Sequence, residues 1–293
     1  MSALKTSLSF GGGVDSSTIL AMALNRPLAA ELLGITLEAL DAALPHFDEV
    51  VFADTGAESE ATMRNVARFQ AAATAAGMDF QIVKKQPTKR APDTTITEWL
   101  LRLGSVPVMG GGKHICSKKW KGEAIEKAIG ARNFIIGIEA NEGRRLVFDA
   151  PKGGSTFCHP LVDLGITRER CLELLPALGF DGVEKSSCVF CPFKSEDELR
   201  DMWLRDRAAW DLCERVEANF REASSRKHQA WIDAGKPTDS AGRALAGMWR
   251  LDSWKEGRRL FVKRIDGRQL SMQEWAKRFE NEGAELIPLL EVA

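Results

Sequence analysis

The chain has 293 residues, enough to bury one large core or two smaller ones. Its formal charge of -1 excludes a protein held on nucleic acid by net charge, although basic clusters survive at Lys84-Lys85 with Lys89-Arg90, at Lys113 to Lys121, and at Lys255-Arg258-Arg259-Lys263-Arg264-Arg268. No apolar run approaches the length of a membrane span and no signal-peptide core follows Met1-Ser2-Ala3-Leu4-Lys5, so a cytoplasmic protein with no membrane partner is expected.

In chain order, the apolar run Leu8 to Phe10 gives way to Gly11-Gly12-Gly13, then to Val14-Asp15-Ser16-Ser17 and the amphipathic stretch Thr18 to Leu24. The pattern predicts strand, glycine turn and helix, and glycines let the backbone approach a ligand without Cβ interference. Asp15, Ser16 and Ser17 stand at a helix start whose free N–H groups and dipole attract an anion, for which a phosphate is the natural occupant. The glycines are contiguous and no Gly-Lys-Ser/Thr follows, which sets the string apart from the dinucleotide fingerprint and the Walker P-loop.

Glu49 to Ala53 predicts a buried strand ending in Asp54-Thr55-Gly56-Ala57-Glu58, and polar, glycine-bearing strand ends are where open α/β sheets bind ligands. Glu60 to Ala76 predicts a helix stopped by Gly77, and Phe80 to Val83 the next strand. Short helices are expected over Ile96 to Leu103 and Ala124 to Ile129 around Gly110-Gly111-Gly112, followed by a buried strand over Phe134 to Ile138. This alternation implies an α/β fold with a doubly wound, mostly parallel, Rossmann-like sheet.

From Thr167 onward helices take over: Thr167 to Leu178, then one long helix over Ser195 to Ala223, opened by a Ser195/Glu198 capping box. The expected organisation is an α/β domain over 1–165 and a helical region over 166–293, with Asp149 to Ser155, including Pro151, Gly153 and Gly154, as a surface loop. Trp203, Trp210, Trp231, Trp249, Trp254 and Trp275 all lie in the second half. A row of Trp can stack bases, but helical spacing assigns Trp203 and Trp210 to the core.

Six cysteines without a secretory signal read as thiols or metal ligands. The sharpest local signal is Cys188-Val189-Phe190-Cys191-Pro192, a turn that directs two sulfurs at one centre. Cys116 and Cys171 are the candidates for two further ligands, with Cys158 close behind, whereas Cys213, beside Leu212 and Val216, reads as a buried structural thiol. Four thiolates suit structural zinc and an iron–sulfur cluster alike.

The string Ser9 to Ser17 resembles the S-G-G-x-D-S signature of the PP-loop ATP pyrophosphatases, the superfamily of sulfonucleotide reductases, tRNA thiolases and the sulfurtransferase of DNA phosphorothioation, with Gly11 where that family carries Ser. Thr167-Arg168-Glu169-Arg170-Cys171 and the segment Ser186 to Phe193 are similar to the T-R-x-x-C and S-x-C-x-x-C-P-F motifs of a phosphoadenosine phosphosulfate (PAPS) reductase-like group of bacterial and phage genomes. Cys116 lies five residues before Lys121, as a cluster cysteine precedes a lysine in sulfonucleotide reductases, although Ser117 occupies their second cysteine position. Asp54-Thr55-Gly56 with Glu58 looks like the family's second motif, near the adenosine. The stretch Gly137 to Arg145 is similar to G-I-R-x-x-E-S-x-R, with Glu139 for Arg and Gly143 for Ser, which leaves anion contacts there to Arg144 and Arg145.

This resemblance implies an adenine nucleotide alpha hydrolase-like fold that binds ATP with Mg²⁺ through Ser9, Gly11, Gly12, Gly13, Asp15, Ser16, Ser17, Asp54, Thr55, Gly137 and Arg145. The implied reaction is adenylation of a substrate with pyrophosphate release, Asp15, Ser16, Lys121 and Arg144 carrying the chemistry. Cys116, Cys171, Cys188 and Cys191 would hold a [4Fe–4S] cluster in preference to Zn²⁺, serving sulfur transfer from a donor protein to DNA or tRNA. A sulfonucleotide reductase is the alternative, weakened because the family's late catalytic cysteine has no counterpart after Cys213. A non-catalytic nucleotide-binding component of a larger complex is the third reading.

Overall fold

Strands covered on both faces are apolar at nearly every position, and Val50, Val51, Phe52 and Ala53 in succession meet that condition. In the computed structural model, which describes residues 4–107, 109–110, 113–114, 116–148, 153–245, 247–248 and 259–290, they form the second strand of a five-stranded sheet, apart from two short two-stranded ones. The strands are β1 (Thr6–Phe10), β2 (Glu49–Asp54), β3 (Asp79–Lys84), β4 (Asn133–Ile136) and β5 (Thr156–Cys158). All pair in parallel, in the order β3-β2-β1-β4-β5. The helices in chain order are α1 (Val14–Leu24), α2 (Arg26–Leu33), α3 (Leu37–Ala43), α4 (Glu60–Ala75), α5 (Ile96–Leu103), α6 (Glu123–Ile129), α7 (Pro160–Asp163), α8 (Arg168–Ala177), α9 (Glu196–Arg205), α10 (Arg207–Asp233) and α11 (Met272–Leu290). A π-helical turn covers Cys116–Gly122 and a 3₁₀ segment Ala140–Phe148. No described helix is long and apolar enough to cross a membrane.

The chain divides into two compact units: residues 1–94 with 116–188, and residues 95–115 with 189–293. In the first, Leu8, Phe10, Val50, Phe52 and Ile135 are buried with apolar residues of α1, α4 and α8. Val51, Ala53 and Phe134 belong to a separate cluster with Ile125 and, more peripherally, Ile129 of α6. Successive strand residues thus serve opposite faces, and helices cover both. Of the stretch Thr18 to Leu24, expected to be amphipathic, every position to Met22 is buried and Ala23 and Leu24 are half-buried, because α8 and α2 also pack on α1. Helices α2 and α3 had no counterpart in the expectation; Asn25 caps the first and Thr36 the second.

This division differs from the expected boundary at residue 165 in two places. Helix α8 stays with the sheet, since Cys171, Leu174 and Leu175 are buried in the same cluster as Leu8 and Phe10. Helix α5 leaves it and joins the second unit, where Asn219 Nδ2 donates to the Leu101 carbonyl at 2.7 Å and Lys227 Nζ to that of Leu103 at 3.4 Å. Gly104, in the left-handed region, lies so close to α10 that a Cβ there would sit 2.2 Å from Ala223 Cβ.

In the second unit the capping box at Ser195 and Glu198 forms as expected. The single helix predicted beyond it is two, because Asp206 leaves helical geometry (φ -129, ψ 70) and its side chain accepts from Ala209 N to start α10. Trp210 and Trp275 are fully buried, while Trp203 is half-buried with the Arg207 guanidinium 4.2 Å from its ring centroid. Trp249 and Trp254 lie outside the described residues, as do Asp149, Ala150, Pro151 and Lys152 of the expected loop. Glu217, buried in α10, accepts from Leu260 N at 3.1 Å and from Met272 N at 3.0 Å, holding two separate segments of the chain.

Candidate functional site

The order β3-β2-β1-β4-β5 reverses between β1 and β4, and doubly wound sheets bind ligands at the carboxyl ends of the strands flanking such a reversal. The glycine turn follows β1 there and Gly137 follows β4. Gly13 is the N-cap of α1, with extended backbone and no side-chain cap. The orphan N–H groups of the first turn are therefore left to other partners. Three glycines are dictated by close approach. Gly12 is left-handed (φ +72), with Thr62 and Val66 methyls 3.1 Å from a would-be Cβ. A Cβ on Gly13 would lie 2.6 Å from Ser186 Oγ and 3.1 Å from Ser186 N, and one on Gly137 2.8 Å from Ser16 N. Gly11 differs, because its nearest neighbour to a Cβ is Ser16 Oγ at 3.6 Å, an ordinary contact, so a Cβ fits.

The polar residues of the turn hold each other. Ser16 Oγ accepts from Gly11 N at 3.0 Å and donates to Gly13 O at 3.3 Å. Asn65, which sequence reasoning passed over, donates through Nδ2 to Gly12 O at 2.8 Å and to Ser17 Oγ at 3.0 Å. Its only sequence signal is a place on the face of α4 beside Thr62 and Val66. Ser9 is half-buried within β1, between β2 and β4.

Asp15 is buried in the first turn of α1, and its Oδ2 accepts from Arg168 at 2.8 Å. Arg168 opens α8, whose N-cap is Thr167, and three residues on Cys171 is fully buried with its thiol hydrogen-bonded to Thr18. The T-R-x-x-C string is thus a docking device: cap, ion pair and core thiol on one side of α8 meet Asp15 and Thr18, themselves three apart on α1. Burial pushes the Cys171 thiol up to about 11.

At the end of β2, Asp54 pairs with Lys84 at 3.1 Å and accepts from Gly56 N at 2.7 Å. Thr55 Oγ1 donates to Glu58 Oε1 at 3.0 Å, and Lys121 Nζ lies 3.2 Å from the same oxygen. The segment Ser186 to Cys188 is laid against this loop: Ser59 N donates to Ser187 O at 2.9 Å, and Glu58 and Cys188 form an isolated antiparallel bridge. Arg144 is exposed in the 3₁₀ segment, and the side chain of Arg145 lies outside the described residues. Glu139 is buried and accepts from Asn141 N at 2.8 Å through Oε2.

The groups implied by the resemblance meet this geometry unequally. The uncapped start of α1 suits a phosphate. Asp15 already has an arginine for its charge, which does not fit a vacant ligand for Mg²⁺. Of the four cysteines expected as ligands, Cys171 is fully buried in the core with its thiol hydrogen-bonded to Thr18, whereas Cys116, Cys188 and Cys191 are half-buried. Among the described residues no three His, Cys, Asp or Glu side chains gather as a metal site. Cys116 opens the π-helical turn and is half-buried, as are Cys188, Cys191 and Cys158, while Cys213 is fully buried with its thiol 3.5 Å from the Val189 carbonyl. No family model, no curated protein and no solved structure matches this chain.

Proposed function

We propose that the first unit binds ATP at the glycine turn and activates a substrate by adenylation with release of pyrophosphate, as a PP-loop ATP pyrophosphatase of the PAPS reductase-like kind with an adenine nucleotide alpha hydrolase-like fold. The observation that carries this reading is the start of α1 at the sheet's reversal, capped by no side chain and flanked by glycines that admit no Cβ. The backbone N–H groups of the turn would face the phosphates, with Lys121 adding positive charge nearby. Adenylation turns a poor leaving group into AMP, so a later nucleophile needs no metal centre in this account. A nucleic acid is the proposed acceptor, on the strength of the basic segment ending at Lys118, Lys119 and Lys121. The cluster at 255–268 supports it less: Lys255 and Arg258 lie outside the described residues, Arg264 donates to Gly267 O, and Arg268 pairs with Glu274.

Pyrophosphate release from ATP, measured with and without DNA or tRNA, tests the proposal. Release that rises with an acceptor supports it, and none under any condition defeats it. One observation favours a second reading, a nucleotide-binding component without turnover: both Asp15 and the Ser16 hydroxyl are engaged within the protein. Tight ATP binding without pyrophosphate release would select it.

A further inference from the structure

The π-helical turn that begins at Cys116 delivers Lys121 to a buried acid that none of the roles above employs. The Glu58 side chain is 1% exposed; its Oε1 takes both Thr55 Oγ1 and Lys121 Nζ, at 3.0 and 3.2 Å, and its Oε2 has no hydrogen-bond partner among the described residues. An ionised carboxylate this far from water is tolerated only beside a cation, and Lys121 supplies it. The acid is the fixed member of the pair. Its neighbours Thr55 and Ser59 are tied to Glu58 and to Ser187 O, and its own backbone bridges to Cys188. The lysine and the glycine turn share Phe52 as a neighbour: the ammonium lies 5.9 Å from the Phe52 ring centroid, and the same ring lies 3.6 Å from where a Cβ on Gly12 would be.

We propose that Glu58 is a positioning residue, fixing the ammonium of Lys121 beside the glycine turn so that an arriving phosphate meets a charge already in place. The anion in this statement rests on the nucleotide reading above. The pairing itself does not.

The test is acylation of lysines in the intact chain by an activated ester, read peptide by peptide by mass spectrometry at one pH, with exposed Lys118 as internal reference. In Glu58→Gln the ammonium loses the carboxylate that pairs with it, and acylation of Lys121 relative to Lys118 should rise about tenfold. Equal relative rates overturn the proposal. A second pair of variants guards against poor folding: Lys121→Met strands the buried carboxylate, so Glu58→Gln/Lys121→Met should melt above Lys121→Met alone, and a double variant melting lower overturns it. The anion is read separately, by the affinities for ATP and AMP. Glu58→Gln should weaken ATP more than AMP, and an unchanged ATP affinity alongside faster acylation overturns the positioning role. A parent chain that binds no ATP defeats the nucleotide reading, and the acylation and melting arms still judge the pair.

Discussion

Three of the buried acid side chains of the first unit stand beside a cation from a distant stretch of chain: Glu49 with Arg132 and Lys5, Asp15 with Arg168, Glu58 with Lys121. The Asp15 pair lies at the glycine turn, and the Glu58 pair neighbours it through Phe52. Glu49 is at the opposite end of the sheet, where burial raises its carboxyl but the hydrogen bonds and charges of Arg132 and Lys5 outweigh that, leaving it below the ordinary 4.5. A depressed carboxyl contributes stability above its unfolded value and loses it as pH falls through the folded one. The advantage of the parent over Glu49→Gln in urea unfolding should therefore shrink as pH drops below 4.5, and an advantage constant down to about pH 3 would contradict this. Cys171 makes the opposite point. Its neutral thiol should resist alkylation at about pH 8 in the native chain, and Cys171→Ala should cost roughly 1–3 kcal/mol while leaving bound iron and zinc unchanged. Metal content that falls with that substitution would return Cys171 to the ligand set. The glycines separate in the same way: Gly137→Ala, against the backbone of α1, should cost about 1–3 kcal/mol, whereas Gly11→Ser should stay within roughly 0.5 kcal/mol.

The elements were legible where apolar period and punctuation agreed. β1, β2, β3, α4 and α5 lie within about two residues of expectation, since each runs between a cap and a glycine or polar stop. The misreadings come from interactions across the chain. A long polar-and-apolar run such as 195–223 carries no sign that Asp206 prefers to cap a new helix, and T-R-x-x-C carries no sign that its cysteine faces a core until α1 is placed beside α8. Glu217 could not be read at all, because its two backbone donors lie 43 and 55 residues away. Burial raises its carboxyl above 4.5 against those two hydrogen bonds, so its contribution is present in acid and is lost as pH climbs through the raised value. Relative to Glu217→Gln, which forfeits one acceptor and about 1 kcal/mol, the parent should lose ground as pH rises above 4.5 in urea unfolding. A difference that grows with pH would contradict the sign.

Across the whole chain, the sheet order places the glycine turn and Gly137 together without reference to any motif, and that convergence is the strongest physical support for a ligand there. The sequence string announced the turn but not its surroundings: Asn65, Ser186 and Arg168 come from three other segments and close it by contacts no local pattern encodes. The unit boundary was hidden for a similar reason. Residues 95–115 leave the α/β unit and return, a path that composition does not mark.

Calorimetric titration of ATP into the parent and Gly11→Glu tests most directly what the glycine turn holds. A Cβ fits at Gly11 without backbone strain, so the variant should melt near the parent, and the charge of the glutamate should repel a triphosphate seated at the start of α1. The predicted result is ATP binding by the parent and a loss of at least about tenfold in Gly11→Glu, about 1.4 kcal/mol. A folded Gly11→Glu that binds ATP as the parent does, or a parent that binds none, would contradict it.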